Sequence, residues 1–230
     1  MASKSNNAPK QGEPPAARPG PTAISLSEAM NARDRRGKIV LALYRCMTKR
    51  GYAATTLCDI ADEAGMTSSH LLYYYSGKEA ILEAFFKAVT DRIEKQLAEL
   101  DGFSPEAKIS AIANMFLSAR GLRKVDQGVM LDLYGQAVQN KVMRRVKVTH
   151  DRCIKDMFVE LFEQTPLADG LSAEEAAQSA YAMLLGLRAN SFYDSQLTAA
   201  QANRLFKHSL LRIAGLGRPE RDEDSARKSA

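Results

Sequence analysis

The chain contains 230 residues, of which 45% are hydrophobic, and it carries a formal net charge of +5. Such a chain can bury a sizeable core, and its positive charge permits an anionic partner without identifying one. No apolar run approaches the roughly 20 residues that span a bilayer, and the N-terminus lacks the apolar segment of a signal peptide, so we expect neither membrane insertion nor secretion. The three cysteines are scattered without metal-ligand spacing, which favours reduced thiols in a cytoplasmic protein that needs no metal or cofactor.

Both ends of the chain have the composition of tails. Residues 1–24 hold most of the prolines among Gly, Ser, Asn and Lys, and we predict a disordered tail there. Residues 217–230 are polar and mixed in charge, which predicts a second, flexible tail. The folded part is therefore expected between residues 25 and 216.

The first predicted helix is strongly basic. Its apolar stripe includes Ile39, Val40 and Leu43, and Gly51 is placed to end it. Between residues 33 and 50 one acid, Asp34, faces seven cations: Arg33, Arg35, Arg36, Lys38, Arg45, Lys49 and Arg50. Such a helix is either a solvated face or a surface that contacts a phosphate backbone.

A helix-turn-helix pattern follows. Thr56 and Asp59 form an approximate capping box at the start of one short helix, and Gly65 stands where the chain must leave it. Thr67 can cap a second helix of about two turns, over residues 68–75. This arrangement is typical of proteins that present a short helix to the major groove of DNA.

The second short helix carries uncharged polar groups suited to DNA contacts. We predict that Leu71 and Leu72 pack inward and that the hydroxyl, imidazole and phenol groups around them face outward. Ser76 and Glu79 form a second capping-box pattern, which places Lys78 at a helix start where a phosphate can bind.

Residues 33–90 resemble the N-terminal DNA-binding domain of the TetR family of transcriptional regulators. The resemblance is carried by Gly51-Tyr52, Thr55-Thr56, Ile60-Ala61, Ala64-Gly65-Met66-Thr67 and Lys78-Glu79-Ala80-Ile81-Leu82. Leu72 stands where the family usually has a phosphate-contacting Tyr, so we assign that contact to Tyr73 or Tyr74. The DNA-contacting residues implied by pattern and resemblance are Arg36, Thr56, Thr67, Ser68, Ser69, His70, Tyr73, Tyr74 and Lys78.

Helical periodicity continues to the end of the folded part. A long connecting helix is predicted from Ile81 to Leu100, and Ser104-Pro105-Glu106 starts the next helix. Further helices are predicted at about 125–140, onward to 164, and after capping boxes at Ser172 and Thr198. We therefore expect an all-α fold: an N-terminal three-helix DNA-binding domain at residues 25–80 and a C-terminal helical ligand-binding and dimerisation domain at 81–216.

The resemblance also implies a homodimer and a small-molecule sensor. A symmetric dimer would bind a palindromic operator, with the last two helices forming the interface. The candidate interface residues are Tyr181, Leu185, Arg188, Phe206, Leu210 and Ile213. The candidate ligand-binding residues, which could equally be ordinary core, are Met115, Phe116, Tyr134, Met157, Phe158 and Tyr181.

The favoured function is a homodimeric repressor released from double-stranded DNA by an apolar or amphipathic small molecule. A corepressor-dependent or activating regulator remains open, as does a helical ligand-binding or interaction module that no longer reads DNA. An enzyme is disfavoured, because His70, His150 and His208 lack zinc-site spacing and no phosphate-binding Gly loop or Gly-x-Ser-x-Gly motif occurs.

Overall fold

A computed structural model of the chain describes residues 25–30, 33–168 and 170–217. Most of the two predicted tails, residues 1–24 and 218–230, lies outside the described residues. Across the described part the regular elements are all α-helices, as predicted. In chain order they are α1 (Leu26–Ala29), α2 (Arg35–Ala54), α3 (Leu57–Glu63), α4 (Ser68–Tyr74), α5 (Lys78–Ala98), α6 (Pro105–Leu117), α7 (Lys124–Gln139), α8 (Lys141–Phe162), α9 (Ala173–Tyr193) and α10 (Ala199–Ile213).

Helices α2, α3 and α4 form the N-terminal three-helix unit. The Asp34 side chain caps α2 by accepting from the Gly37 backbone N at 2.7 Å. Gly51 interrupts α2 with a φ of 75°, a left-handed conformation that glycine adopts without strain. Ile60 of α3 and Leu71 of α4 are fully buried with the apolar face of α2. Burial of these side chains against α2 fixes the two short helices in place.

Helix α5 joins this unit to the remaining helices. Its buried face includes Leu82 and Phe85, and the Phe85 ring stacks on Tyr44 of α2 with a centroid distance of 6.5 Å. Farther along, Val89 and Ile93 are buried against the C-terminal helices. One continuous hydrophobic core therefore crosses the predicted domain boundary at residue 80.

The C-terminal helices pack around a cluster of aromatic rings. Phe158 of α8 lies 6.1 Å from Phe206 of α10 and 6.4 Å from Phe162, between ring centroids. All three rings are fully buried. The capping boxes at Ser172 and Thr198 are confirmed, since each hydroxyl accepts from the third backbone N–H of its helix while the third residue bonds back.

Two local predictions are wrong. Leu72 is 48% exposed, because α4 is short and consecutive helical residues point about 100° apart, so only Leu71 can face the core. Ser76 does not cap α5: the helix begins at Lys78 after Gly77, whose extended φ of 170° places the helix start one residue later than the pattern predicted. Among the described residues no helix combines the length and apolar character needed to cross a membrane.

Candidate nucleic-acid interface and ligand cavity

The turn between α3 and α4 is fixed by backbone and side-chain hydrogen bonds. The Asp59 carboxylate accepts from the Thr56 backbone N at 2.8 Å, and the Thr56 hydroxyl accepts from the Asp59 N at 3.2 Å. These bonds with Thr56 are the main reason that the pKa of Asp59 lies below its ordinary value. Gly65 turns the chain with a φ of 65°, and Thr67 caps α4 by accepting from the His70 N at 3.2 Å. The predicted helix-turn-helix is confirmed in its geometry.

Helix α4 presents an uncharged polar surface. Ser69, His70 and Tyr73 are exposed, and Tyr73 is 81% exposed. Ser68 and Tyr74 are half-buried, and the Tyr74 ring packs 5.2 Å from Tyr73. Hydroxyl, imidazole and phenol groups of this kind can hydrogen-bond to phosphates and base edges.

The basic surface of α2 is smaller than the sequence suggested. Arg45 and Lys49 pair with Glu63 of α3, Lys49 at 2.6 Å, and Arg50 pairs with Asp59 at 2.6 Å. These three cations therefore hold α3 on α2. Toward the N-terminal end of α2, the Arg36 guanidinium lies 5.2 Å from the centroid of the Tyr75 ring.

Lys78 points toward the protein rather than toward solvent. Its ammonium donates to the backbone oxygens of Tyr52 at 3.0 Å and Thr55 at 2.8 Å, and lies 4.3 Å from the centroid of the Tyr52 ring. Burial lowers the pKa of Lys78. The predicted phosphate contact is thus corrected: two of the three ammonium donors join the end of α2 to the start of α5.

A cavity lies between α5, α7, α8 and α9. It has a volume of about 50 Å³, and an adjoining cavity of about 120 Å³ between α7 and α9 shares four of its walls. The shared walls are Met130, Tyr134, Leu185 and Arg188. Phe116, Tyr181 and His150 add aromatic surface to the first cavity. Apolar walls with few polar groups are typical of small-molecule sites.

Several polar groups around the cavity are held in unusual states. Burial lowers the pKa of His150 to about 4, and its Nδ1 lies 3.1 Å from the Thr90 hydroxyl, so the imidazole is neutral at physiological pH. Burial raises the pKa of Tyr134 to about 12. Burial is also the main reason that the pKa of Tyr181 is raised, with additional contributions from Tyr134 and Asp151.

Two of these polar atoms lack a well-formed hydrogen bond. Within the described residues neither the Tyr181 hydroxyl nor Asp151 Oδ1 completes one, although both are buried. Lys147 pairs with the other Asp151 oxygen and lies 4.5 Å from the centroid of the Tyr134 ring. Because a hydrogen-bonding contribution from Asp151 raises the pKa of Tyr181, these two groups lie within reach of each other.

The predicted ligand-binding residues separate into three groups. Phe116, Tyr134 and Tyr181 line the cavity. Met157 lines a different, open groove beside Lys108. Met115 and Phe158 are fully buried in packed core, so their assignment to a cavity is corrected. Close packing leaves them no space for a ligand.

Sequence reasoning missed the cavity acids. Asp126 is 2% exposed and lines the cavity, and Asp151 is buried beside it. A signal was present: Asp126 lies three and seven residues before buried Val129 and Leu133, so helical spacing places a carboxylate on the buried face. Acids are rarely buried unless they are paired or hydrogen-bonded. An acid at a core-facing position of the helical pattern therefore indicates a buried carboxylate with partners.

Asp126 connects the cavity to the N-terminal unit. Its carboxylate accepts from the Tyr44 hydroxyl of α2 at 2.6 Å and from the Leu26 backbone N of α1 at 3.2 Å, and pairs with Arg123 at 3.1 Å. Six residues farther along α7, Asp132 Oδ2 accepts from the Tyr52 backbone N at 2.7 Å. Helix α7 therefore holds the start of the described chain and α2 through two carboxylates.

Most of the predicted dimer residues lie inside their own chain. Phe206 and Leu210 are fully buried and Tyr181 is 5% exposed, so these three cannot form an interface without unfolding, and their assignment is corrected. Leu185 and Arg188 line the cavity, and Ile213 is half-buried. The outer faces of α9 and α10 instead expose the following residues: Ala182, Gly186, Tyr193 and Leu205.

A helix-turn-helix with an exposed reading helix, joined through α5 and α7 to a helical core with a cavity, defines a DNA-binding regulator of transcription. Residues 39–85 match the family model for bacterial regulatory proteins of the tetR family. Residues 105–215 match the model for the C-terminal part of BetI-type transcriptional repressors. The chain belongs to the TetR family of transcriptional regulators.

Relatives of known name agree with this assignment. The chain is 26% identical over 158 residues to the HTH-type transcriptional regulator BetI 2 of Chromohalobacter salexigens, a match covering 66% of this chain and 75% of that protein. It is 27% identical over 155 residues to BetI of Brucella anthropi, covering 66% and 79%.

Solved structures share the fold. A putative transcriptional regulator from Pseudomonas aeruginosa PAO1 superposes with a TM-score of 0.68 at 22% identity, covering 80% of this chain and 92% of that one. A putative transcriptional regulator from Saccharomonospora viridis, solved in complex with choline, has a TM-score of 0.63 at 19% identity, covering 74% and 92%.

Proposed function

We propose that this protein is a homodimeric, cytoplasmic repressor that leaves a palindromic operator when a small molecule fills the cavity at Tyr134 and Tyr181. The observation that carries the proposal is the position of Asp126. The same carboxylate lines the cavity and binds both α1 and α2. A ligand that displaces α7 therefore acts on the DNA-binding unit through direct contacts.

In the proposed complex, the DNA-binding surface makes two kinds of contact with the operator. Ser69 and His70, exposed on α4, are placed to contact base edges, whereas the exposed Thr56 and Thr67 at helix starts suit phosphates. Tyr73 takes the phosphate contact left by Leu72. Two such surfaces in a symmetric dimer would meet successive major grooves about one helical turn apart.

The proposed dimer uses the outer faces of α9 and α10. Ala182 and Gly186 are exposed four residues apart, so the surface between them lacks long side chains and permits close helix approach. Leu205 is 49% exposed and Tyr193 is 75% exposed. Burying these apolar groups against a second copy would remove them from water.

The proposed effector is an amphipathic molecule with a quaternary ammonium group, of the kind represented by choline in the Saccharomonospora viridis structure. The Tyr134, Tyr181 and Phe116 rings supply π-faces that attract such a group. Lys147 already places an ammonium over Tyr134 and beside Asp151, so a ligand cation would take over a position that this side chain occupies. Arg188 opposes a cation, although its charge is partly satisfied by the backbone oxygens of Phe116 and Gly121.

The small volume of the cavity explains how a ligand would move α7. A space of about 50 Å³ holds little more than a water molecule or two. A larger ligand must join it to the neighbouring cavity of about 120 Å³, which moves α7 relative to α9. Because α7 carries Asp126 and Asp132, ligand binding favours a state in which the contacts to α1 and α2 change. The ligand shifts the equilibrium only by its difference in affinity for the two states.

The experiment is selection of bound fragments from random duplex DNA, followed by affinity measurement at several salt concentrations. We expect one palindromic sequence to be enriched and its affinity to fall steeply with salt. Equal affinity for every duplex at physiological salt would contradict the proposal. It would favour a helical module that no longer reads DNA, a reading that the inward-pointing Lys78 and the exposed Leu72 support.

A further inference from the structure

A second basic surface lies outside the helix-turn-helix. Near its start, α8 forms an open concavity of about 400 Å³ without an acid in its lining. We call it the α8 basic face, and its lining consists of Lys141, Arg144, Arg145, Val148, Thr149 and Arg152. Neither the recognition helix nor the ligand cavity uses any of these side chains.

The cations on this face are available to a partner. Lys141, Arg145 and Arg152 are exposed, and in the part of the chain that the structure describes none of them has an ion-pair partner. This distinguishes them from Arg45 and Lys49, which are neutralised by Glu63. Arg144 is the exception, because its guanidinium donates to the backbone oxygens at the end of α7.

The face lies at the DNA-binding end of the molecule. Helices α5 and α8 run side by side in the same direction, since Thr90 contacts His150 at 3.1 Å and Glu94 contacts Cys153 at 3.6 Å. The same register places Lys141 near the level of Ile81, about one turn from the start of α5. The start of α5 is itself bonded to the end of α2 and the loop that leads to Thr56.

The cations lie on one side of α8. Lys141, Arg145 and Arg152 are spaced four and seven residues apart along the helix, so their side chains point in similar directions. By the register with α5, Lys141 and Arg145 are the two nearest to the DNA-binding unit. Their charge and their level beside the recognition unit favour DNA over an acidic protein as the occupant of this face.

We propose that the α8 basic face binds the phosphates of DNA flanking the operator half-site. This rests on the proposed function, because it extends the footprint of the same DNA. The face consists mainly of Lys and Arg, and contacts from such side chains to phosphates position the protein without carrying sequence information directly. It lengthens the required duplex without changing the sequence that is read.

The test compares two operator duplexes with two double variants. The short duplex ends at the outer edges of the half-sites, and the long duplex adds ten base pairs of arbitrary sequence on each side. The test variant is Lys141→Gln with Arg145→Gln. The matched control, Lys95→Gln with Lys108→Gln, removes the same charge near the opposite end of α5, where Lys95 lies about 21 Å along that helix from the level of Lys141.

We expect the wild-type protein and the control to bind the long duplex more tightly than the short one. The test variant should lose about 2- to 30-fold on the long duplex, as for two exposed ion pairs, and nothing on the short one. Its salt slope on the long duplex should fall by about two units. Equal changes on both duplexes, or no difference between test and control variants, would overturn the flanking contact. Absence of specific binding by the wild-type protein to either duplex would instead refute the proposed function.

Discussion

The hydrogen bond between Tyr44 and Asp126 offers a matched test of how α7 holds the DNA-binding unit. Tyr44→Phe removes a hydroxyl that donates to a buried carboxylate at 2.6 Å. A hydrogen bond to a charged group is worth about 1.5–3 kcal/mol, and Asp126 keeps Arg123 and the Leu26 N as partners. We therefore expect a loss of about 2 kcal/mol in the free energy of unfolding.

Tyr52→Phe is the control. Tyr52 lies on the same helix and is 4% exposed, but its hydroxyl has no hydrogen-bond partner among the described residues. Removing that hydroxyl should be neutral or slightly stabilising, because it relieves a buried unsatisfied group. The ring that packs under the Lys78 ammonium is retained.

Urea denaturation of the two variants and the wild-type protein measures the difference. A loss of about 2 kcal/mol corresponds to a decrease of roughly 4–8 °C in melting temperature for a chain of this size. The Tyr44→Phe variant should also respond less to choline, since one of the contacts that transmit the response is gone. Equal stability of Tyr44→Phe and Tyr52→Phe would refute the reasoning.

Three further predictions follow from the described contacts. Burial lowers the pKa of His150 to about 4 from 6.5, so between these pH values the unfolded chain binds a proton that the folded chain does not. The free energy of unfolding should therefore fall by about 3 kcal/mol as the pH falls from 6.5 toward 4. In urea denaturation at several pH values, His150→Gln should flatten this decline, whereas replacing the exposed His208 should leave it unchanged. Ser69→Ala should reduce discrimination between operator variants by about 1–3 kcal/mol in competition binding, without changing the melting temperature. In light scattering, Leu205→Glu should give a folded monomer, whereas Leu210→Glu should unfold the chain by placing a charge in its core, and a folded Leu210→Glu dimer would contradict the burial of that residue.

Features that depend on neighbouring residues could mostly be predicted from the sequence, with the cap at Ser76 as the exception. The capping boxes at Thr56, Ser172 and Thr198 are local patterns, so their recognition needed no knowledge of the tertiary structure. The helix-turn-helix was predicted for the same reason. Its start and stop signals all lie within about a dozen residues of the helices that they define.

Features that depend on distant residues could not. Lys49 and Glu63 lie fourteen positions apart, and nothing in the basic helix indicates that α3 will neutralise it. Lys78 likewise meets carbonyl groups more than twenty residues away, which the sequence does not place. Apolar periodicity identified the buried faces of Phe206 and Leu210, but the pattern cannot tell burial within one chain from burial between two.

The cavity was predicted only in part. Phe116, Tyr134 and Tyr181 line it, whereas Phe158, another aromatic residue on a buried helix face, lies in packed core. Aromatic residues at helical spacing occupy both environments, and only the distances between helices decide which residues face empty space.

Operator affinity measured with and without choline tests the central claim most directly. With fluorescently labelled operator, saturating choline should weaken binding of the wild-type protein by about 5- to 150-fold, the range for a coupling of 1–3 kcal/mol between two sites. Operator DNA should weaken choline binding by the same factor, because the coupling is reciprocal. Operator affinity that is unchanged or increased by saturating choline would contradict release of this repressor through the cavity at Tyr134 and Asp126.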